Sequence, residues 1–256
     1  MSRRRNRPQR NLRGPAVVDA RKRILVVCEG EVTEPAYLRA FSNARRNSGV
    51  EVAIHGPGGD PVTLVDKATE LRGVARTRAD AEHDENVAYD ETWCCFDVDA
   101  FGPRVQTARD TARARGLRLA MSNPCFELWL LLHFRDNPGP QDRHAMQRRY
   151  RDEQPLVDDK HIDFEILAPR YEDAYQRAKR LHEAASRDGQ PNRNATTEVY
   201  LLTDAIDAEG RERRRRAERQ RRDSGRAQAT AAEEAAWAQA RQEGWQDPPG
   251  DEGGDA

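Results

Sequence analysis

The sequence predicts an α/β fold: a mainly parallel sheet flanked by helices, followed by a helical C-terminal extension. Three observations lead there. Continuous apolar, β-rich runs such as "ILVVC" and "WCCF" suit strands covered on both faces, as parallel sheets require. Strand patterns alternate with helical patterns at the spacing of βαβ units. After about residue 207 the chain becomes low-complexity and rich in Ala, Arg and Glu, with too few apolar residues for a core of its own.

Residues 1–22, rich in Arg, Asn and Pro, read as a disordered basic arm. The first strand is 24–28, breaking at Glu29-Gly30. "TEPAYLRAFSNARRN" follows as a helix, with Thr33 placed to cap it, Pro35 in its first turn, and Tyr37, Leu38 and Phe41 on one face. "GVEVAIHG" is a second strand. "GPGGDPVTLVDKATELRGVAR" is a turn and then a helix opened by Asp60-Pro61, and "DAEHDENVAYDE" is a polar loop. The strand 92–99 carries "TWCCFDVD". A helix "TARDTARARG", the strand 117–122 and the nearly all-apolar helix of "NPCFELWLLLHF" complete a core over 23–134. Residues 135–206 read as mostly helical, "PRYEDAYQRAKRLHEAA" being the clearest amphipathic stretch, and 207–256 as a charged tail.

Composition bounds the partners. The chain has 256 residues, 43 Lys and Arg against 44 Asp and Glu, so its net charge of −1 favours neither acidic nor basic ligands. Local charge carries more information, because arginines crowd both ends. Cys28, Cys94, Cys95 and Cys125 form no CxxC pair, three lie in apolar runs, and adjacent Cys94 and Cys95 would face opposite sides of a strand. No apolar leader and no stretch near eighteen apolar residues is present. The expectation is a soluble protein of a reducing cytoplasm, without a membrane partner.

The chemistry concentrates in acidic residues at strand ends, where open α/β sheets collect ligands. Glu29 follows the first strand, Asp97 and Asp99 end the strand 92–99, and Glu127 lies in the first turn after the strand 117–122. Residues i and i+2 of a strand project to one side, so the aspartates can face one point. Converging carboxylates repel unless protons or cations intervene. Mg²⁺ suits them, with Mn²⁺ as a substitute: hard, oxygen-loving, and able to keep positions for phosphate oxygens. Singly, each has a plainer explanation, since a glutamate in a first helical turn complements the dipole and Glu29-Gly30 can be an ordinary turn.

These motifs resemble a known family. A strand, Glu-Gly, then a strand ending in Asp-x-Asp is the pattern of Toprim catalytic domains. "ILVVCEGEVTEPAYL", "HGPGGDP", "FDVDAF" and "SNPCFELWLLLHF" together resemble RloB-like proteins of bacterial anti-phage and restriction systems, over about 23–203. "NATTEVYLL" is a weaker match, with Ala195 where the family tends to have proline. The resemblance implies a Toprim-like fold and phosphodiester chemistry on DNA or RNA. It implies Glu29 as general acid or base, Asp97 and Asp99 as metal ligands alongside Glu29, and a role for Glu127. It also implies a separately encoded ATPase as partner.

Weaker candidates remain. Gly58 and Gly59 in "HGPGGDP" could cradle phosphate on backbone amides, with Lys67 beyond them, although the Gly-Lys-Ser/Thr ending of a P-loop is missing. Arg213, Arg214, Arg215 and Arg216 could contact nucleic-acid phosphates. His133, Trp93 and Trp129 read as core. Asp-x-Asp also suits nucleotide-sugar transferases and aspartate-nucleophile phosphatases, though the first leaves Glu29-Gly30 unexplained and the second wants a hydroxyl residue after the pair. A regulatory subunit with structural carboxylates is the non-enzymatic alternative.

Overall fold

The structure is a computed structural model that describes residues 22–45, 50–54, 60–98, 102–153 and 162–242. The chain divides after Ile206 into two compact units. In the first, strands β1 (Ile24–Cys28), β2 (Val50–Ile54), β3 (Glu91–Asp97) and β4 (Arg118–Asn123) form a parallel sheet in the order β2-β1-β3-β4. A two-residue strand, β5 (Thr196–Thr197), adds antiparallel to β4. Such a piece is too short for periodicity to reveal, so the helical reading of 135–206 misses it. It is held by the 2.8 Å contact of the Ser122 and Thr197 hydroxyls and by Glu198 N–H donating to the Met121 carbonyl.

Alternation along the strands builds two cores. Ile24, Val26, Cys28, Trp93, Cys95 and Ala120 face one cluster; Leu25, Val27, Cys94, Phe96 and Met121 face the other. Cys94 and Cys95 thus point to opposite sides, and the four cysteines are buried free thiols. Helices α2 (Pro61–Glu82) and α3 (Pro103–Ala114) cover the second face through Leu64, Val65, Ala68, Val105 and Ala108. The first face receives α1 (Thr33–Ala44), α4 (Glu127–Leu131), α5 (Arg143–Glu153), the single turn α6 (Phe164–Leu167), α7 (Tyr171–Arg187) and α8 (Val199–Ile206). Fully buried Trp129 is its largest side chain, ringed by Tyr37, Tyr171 and His133.

Helix boundaries follow their caps. Asp60 accepts from Val62 N–H at 2.9 Å and Pro61 opens α2 without a donor to satisfy. Thr33 does not cap α1: Val32 stands at that position without a side-chain bond, and Thr33 is already helical. α2 runs into the start of the expected polar loop, to Glu82, because the ion pairs Arg76–Asp80 and Arg78–Glu82 stitch successive turns. It ends at His83 in the left-handed conformation, φ 52°. The second unit contains α9 (Ala208–Gln242), one 35-residue helix. No helix among the described residues is long and apolar enough to cross a membrane.

Candidate active site

Parallel pairing places the carboxyl ends of β1 and β3 side by side. Glu29 N–H donates to the Cys95 carbonyl at 3.0 Å, extending the ladder one residue past β1. The Glu29 carboxylate then accepts the Asp97 N–H at 3.1 Å, across 68 residues of sequence. Two acidic positions far apart in the chain therefore meet at one sheet edge. Asp99 lies outside the described residues, as do Gly58 and Gly59.

Asp97 shares a side of β3 with Trp93 and Cys95, which turns it toward α4 rather than toward α2. Its side chain is only 4% exposed. One oxygen accepts Phe126 N–H at 2.9 Å, and the other meets the Arg143 guanidinium at 2.9 Å. Glu127, next after Phe126, opens α4 and accepts from the Gln147 amide at 3.3 Å. α5 contributes Arg143 and Gln147 one helical turn apart, so one face of that helix closes the site.

A fourth carboxylate joins them. Glu34, in the first turn of α1, is 7% exposed and folds back over Gly30. A Cβ on residue 30 would stand 2.0 Å from a Glu34 carboxylate oxygen, so a side chain there would push the Glu34 carboxylate out of this position. Gly30 and Glu34 backbone amides bond the carboxylate. These residues line a cleft of about 420 Å³ together with Phe126, Glu127, Arg143, Gln147, Tyr150 and Arg151.

The electrostatics follow from crowding. Burial, reinforced by Glu127 and Glu29, pushes the Glu34 carboxyl up to about 7 against the pull of its amide bonds. Burial raises Asp97 well above the ordinary carboxylate range, with Glu34, Glu127 and Glu29 adding to the shift and Arg143 opposing it. Like charges gathered in a partly dry cleft favour either protons or an added cation. Among the described residues no three of His, Cys, Asp or Glu stand together in metal-holding geometry. The donors nevertheless fit a hard dication in kind: they are carboxylate oxygens, mutually repelling, at the mouth of a cleft with an amide beside them.

The remaining candidates fall elsewhere. Lys67 pairs with Glu70 at 3.1 Å along α2 and does not line the cleft. Arg214, Arg215 and Arg216 lie on α9 with Arg213, whose side chain is outside the described ones. Arg214 stands 3.8 Å from Asp207, and Arg216 meets Glu212 at 3.4 Å, so the run carries counter-charges. His133 is buried, within 3.0 Å of the Trp129 carbonyl and 3.4 Å of the Tyr37 hydroxyl. Desolvation pushes it down to about 4, so it is a neutral core residue.

Sequence reasoning passed over Glu34, Arg143, Gln147, Tyr150 and Arg151. For Glu34 a signal existed: a glycine right after Glu29 and an acid four residues further on. The α5 residues gave none, because arginine is common throughout the chain. No curated protein and no solved structure matches the chain. The model of the RloB-like protein family does match, over residues 24–206, a span that includes Glu29, Glu34, Asp97, Glu127 and Arg143 and stops short of α9. A match over that much of the sequence makes the chain a member of the RloB-like family.

Proposed function

We propose that the chain is a divalent-cation-dependent phosphodiesterase that hydrolyses nucleic acid in bacterial anti-phage defence, working with a separately encoded ATPase. The observation that supports the chemistry is the Glu29 carboxylate accepting the Asp97 backbone N–H at 3.1 Å, in a cleft shared with Glu34 and Glu127. The defence role and the ATPase rest on the resemblance of the motifs alone, as does the Toprim-like character of the site.

In this reading Glu29 and Asp97, with Asp99 by resemblance, would hold Mg²⁺ or Mn²⁺. Such an ion supplies positive charge against phosphate oxygens and lowers the cost of charge on the attacking and leaving oxygens. The chain's own groups do the rest. Glu34, poised near neutrality, can accept a proton from an attacking water and return one to the departing oxygen. Water's oxygen bonds to phosphorus as the phosphorus–ester oxygen bond breaks, so atoms and charge balance. Arg143 and Arg151 line the cleft and offer N–H donors to the phosphate. Phe126 N–H fixes the Asp97 carboxylate.

A second reading draws on one specific contact. Arg143 and Phe126 N–H already take both Asp97 oxygens, which suits a structural carboxylate in a regulatory subunit. Labelled DNA and RNA, single- and double-stranded, incubated with Mg²⁺, Mn²⁺ or a chelator distinguish the two. Cation-dependent cleavage products are expected. Uncut polynucleotide under every condition, including with the partner ATPase present, favours the regulatory subunit.

A further inference from the structure

α5 also lines a second depression, which shares Arg151 with the carboxylate cleft. It measures about 490 Å³ and is lined by Gln141, Ala145, Arg148, Arg149, Arg151 and Asp152. At about 100° per residue, the helix turns one face, with Arg143, Gln147 and Tyr150, into the cleft and a nearly opposite face, with Ala145, Arg148, Arg149 and Asp152, into the groove, and Arg151 stands at the edge between them. Arg148, Arg149 and Arg151 are exposed, three guanidinium groups against the single carboxylate of Asp152. Arg149 is steadied by a 2.7 Å bond to the Pro138 carbonyl.

We propose that this arginine-lined groove is a track for the sugar–phosphate backbone of a nucleic-acid strand, leading from solvent across Arg148 and Arg151 to Arg143 and the carboxylates. The inference rests on the reading of the cleft as a phosphodiester site acting on nucleic acid and adds the surface by which the strand reaches it. A lone phosphate would need the cleft only. From Arg143 to Arg151 the helix rises roughly 12 Å at 1.5 Å per residue. That length exceeds the reach of one phosphate group, so the track suits more than one phosphate of a chain. Arginine suits them because its planar fork grips phosphate oxygens in pairs. Among the described residues the groove's lining holds no aromatic side chain, which suits contact with the backbone rather than stacking on bases.

The test is binding of fluorescent single-stranded DNA, single-stranded RNA and duplex DNA in chelator, across a salt series. Wild type is compared with Arg148→Glu and with Arg148→Glu/Arg151→Glu. On at least one polymer the double variant should bind at least about 10-fold more weakly at 100 mM salt. Its log–log salt slope should be shallower by about 1.4–1.8, because each of the two phosphates that an arginine neutralises contributes about 0.7–0.9 to that slope. Melting temperatures are recorded alongside, and the single variant, exposed at its site of change, serves if the double one fails to fold. Unchanged affinity and slope, or no binding of any polymer by wild type, overturns the track. Failure of the cleft reading shows separately, as absence of cation-dependent cleavage by a protein that still binds the strand through Arg148 and Arg151.

Discussion

Asp97→Asn should fold and lose cation-dependent cleavage by about 10²–10³-fold, the range for removing one group that stabilises developing charge. The amide keeps an oxygen for Phe126 N–H but has no charge for a cation or for Arg143. Asp97→Ala should lose cleavage to the same degree and stability besides. It strands the Phe126 N–H and leaves the Arg143 guanidinium without its buried partner. Breaking a buried pair from one side costs about 3–5 kcal/mol. Arg143 is 37% exposed and can rehydrate, so about 1–3 kcal/mol is expected here. Denaturant melts and cleavage rates on both variants check this. If Asp97→Asn retains wild-type rates, Asp97 has no part in catalysis.

Glu34→Gln should act in opposite directions on stability and activity. The folded Glu34 carboxyl sits near 7 against an ordinary 4.5, so between those values the folded state holds more protons than the unfolded one. Stability from this group is full below about pH 4.5 and is lost as pH rises through 7. At 1.36 kcal/mol per pH unit that loss approaches about 3 kcal/mol. Glutamine removes the charge, keeps an oxygen for the Gly30 amide, and should flatten this part of the stability–pH curve. At pH 8 without metal the variant should gain about 1–2 kcal/mol, roughly 2–8 °C for a chain of this size. Cleavage should fall, since the amide exchanges no proton. A melting temperature at pH 8 that drops instead would mean that Glu34 is held by attraction and not crowded by its neighbours.

Much of the scaffold is legible in the sequence because burial writes itself into strands. β1 and the apolar stretch of β3 are unbroken apolar runs, and each is followed by a carboxylate, so sequence pattern alone puts Glu29 and Asp97 at equivalent strand ends, whereas the pairing of β1 with β3 that makes them neighbours is tertiary. The all-apolar α4 and the Asp60-Pro61 start of α2 carry equally local signals. The rest depends on long-range packing. Glu34 looks like an ordinary first-turn glutamate until Gly30 is seen to leave room for its carboxylate. Arg143 comes from a polar, arginine-rich helix whose only buried residues are Met146 and Tyr150, too few to show which face turns inward. β5 has two residues, and its place beside β4 follows from tertiary contact alone. The arginines of α9 draw notice as an uninterrupted run, whereas those of α5 are spaced by helical geometry and pass unnoticed in one dimension.

Calorimetric titration of Mn²⁺ and Mg²⁺ at pH 7 in buffers of different ionisation enthalpy puts the crowded-carboxylate account to its most direct trial. Burial and neighbouring charge hold the Glu34 carboxyl near 7, so that at this pH it is partly protonated, and a cation entering the cluster must displace that proton. The account predicts saturable binding by wild type, net proton release visible as buffer-dependent heat, and loss of binding in Asp97→Asn. No binding, binding without proton release, or binding that Asp97→Asn leaves unchanged would contradict it.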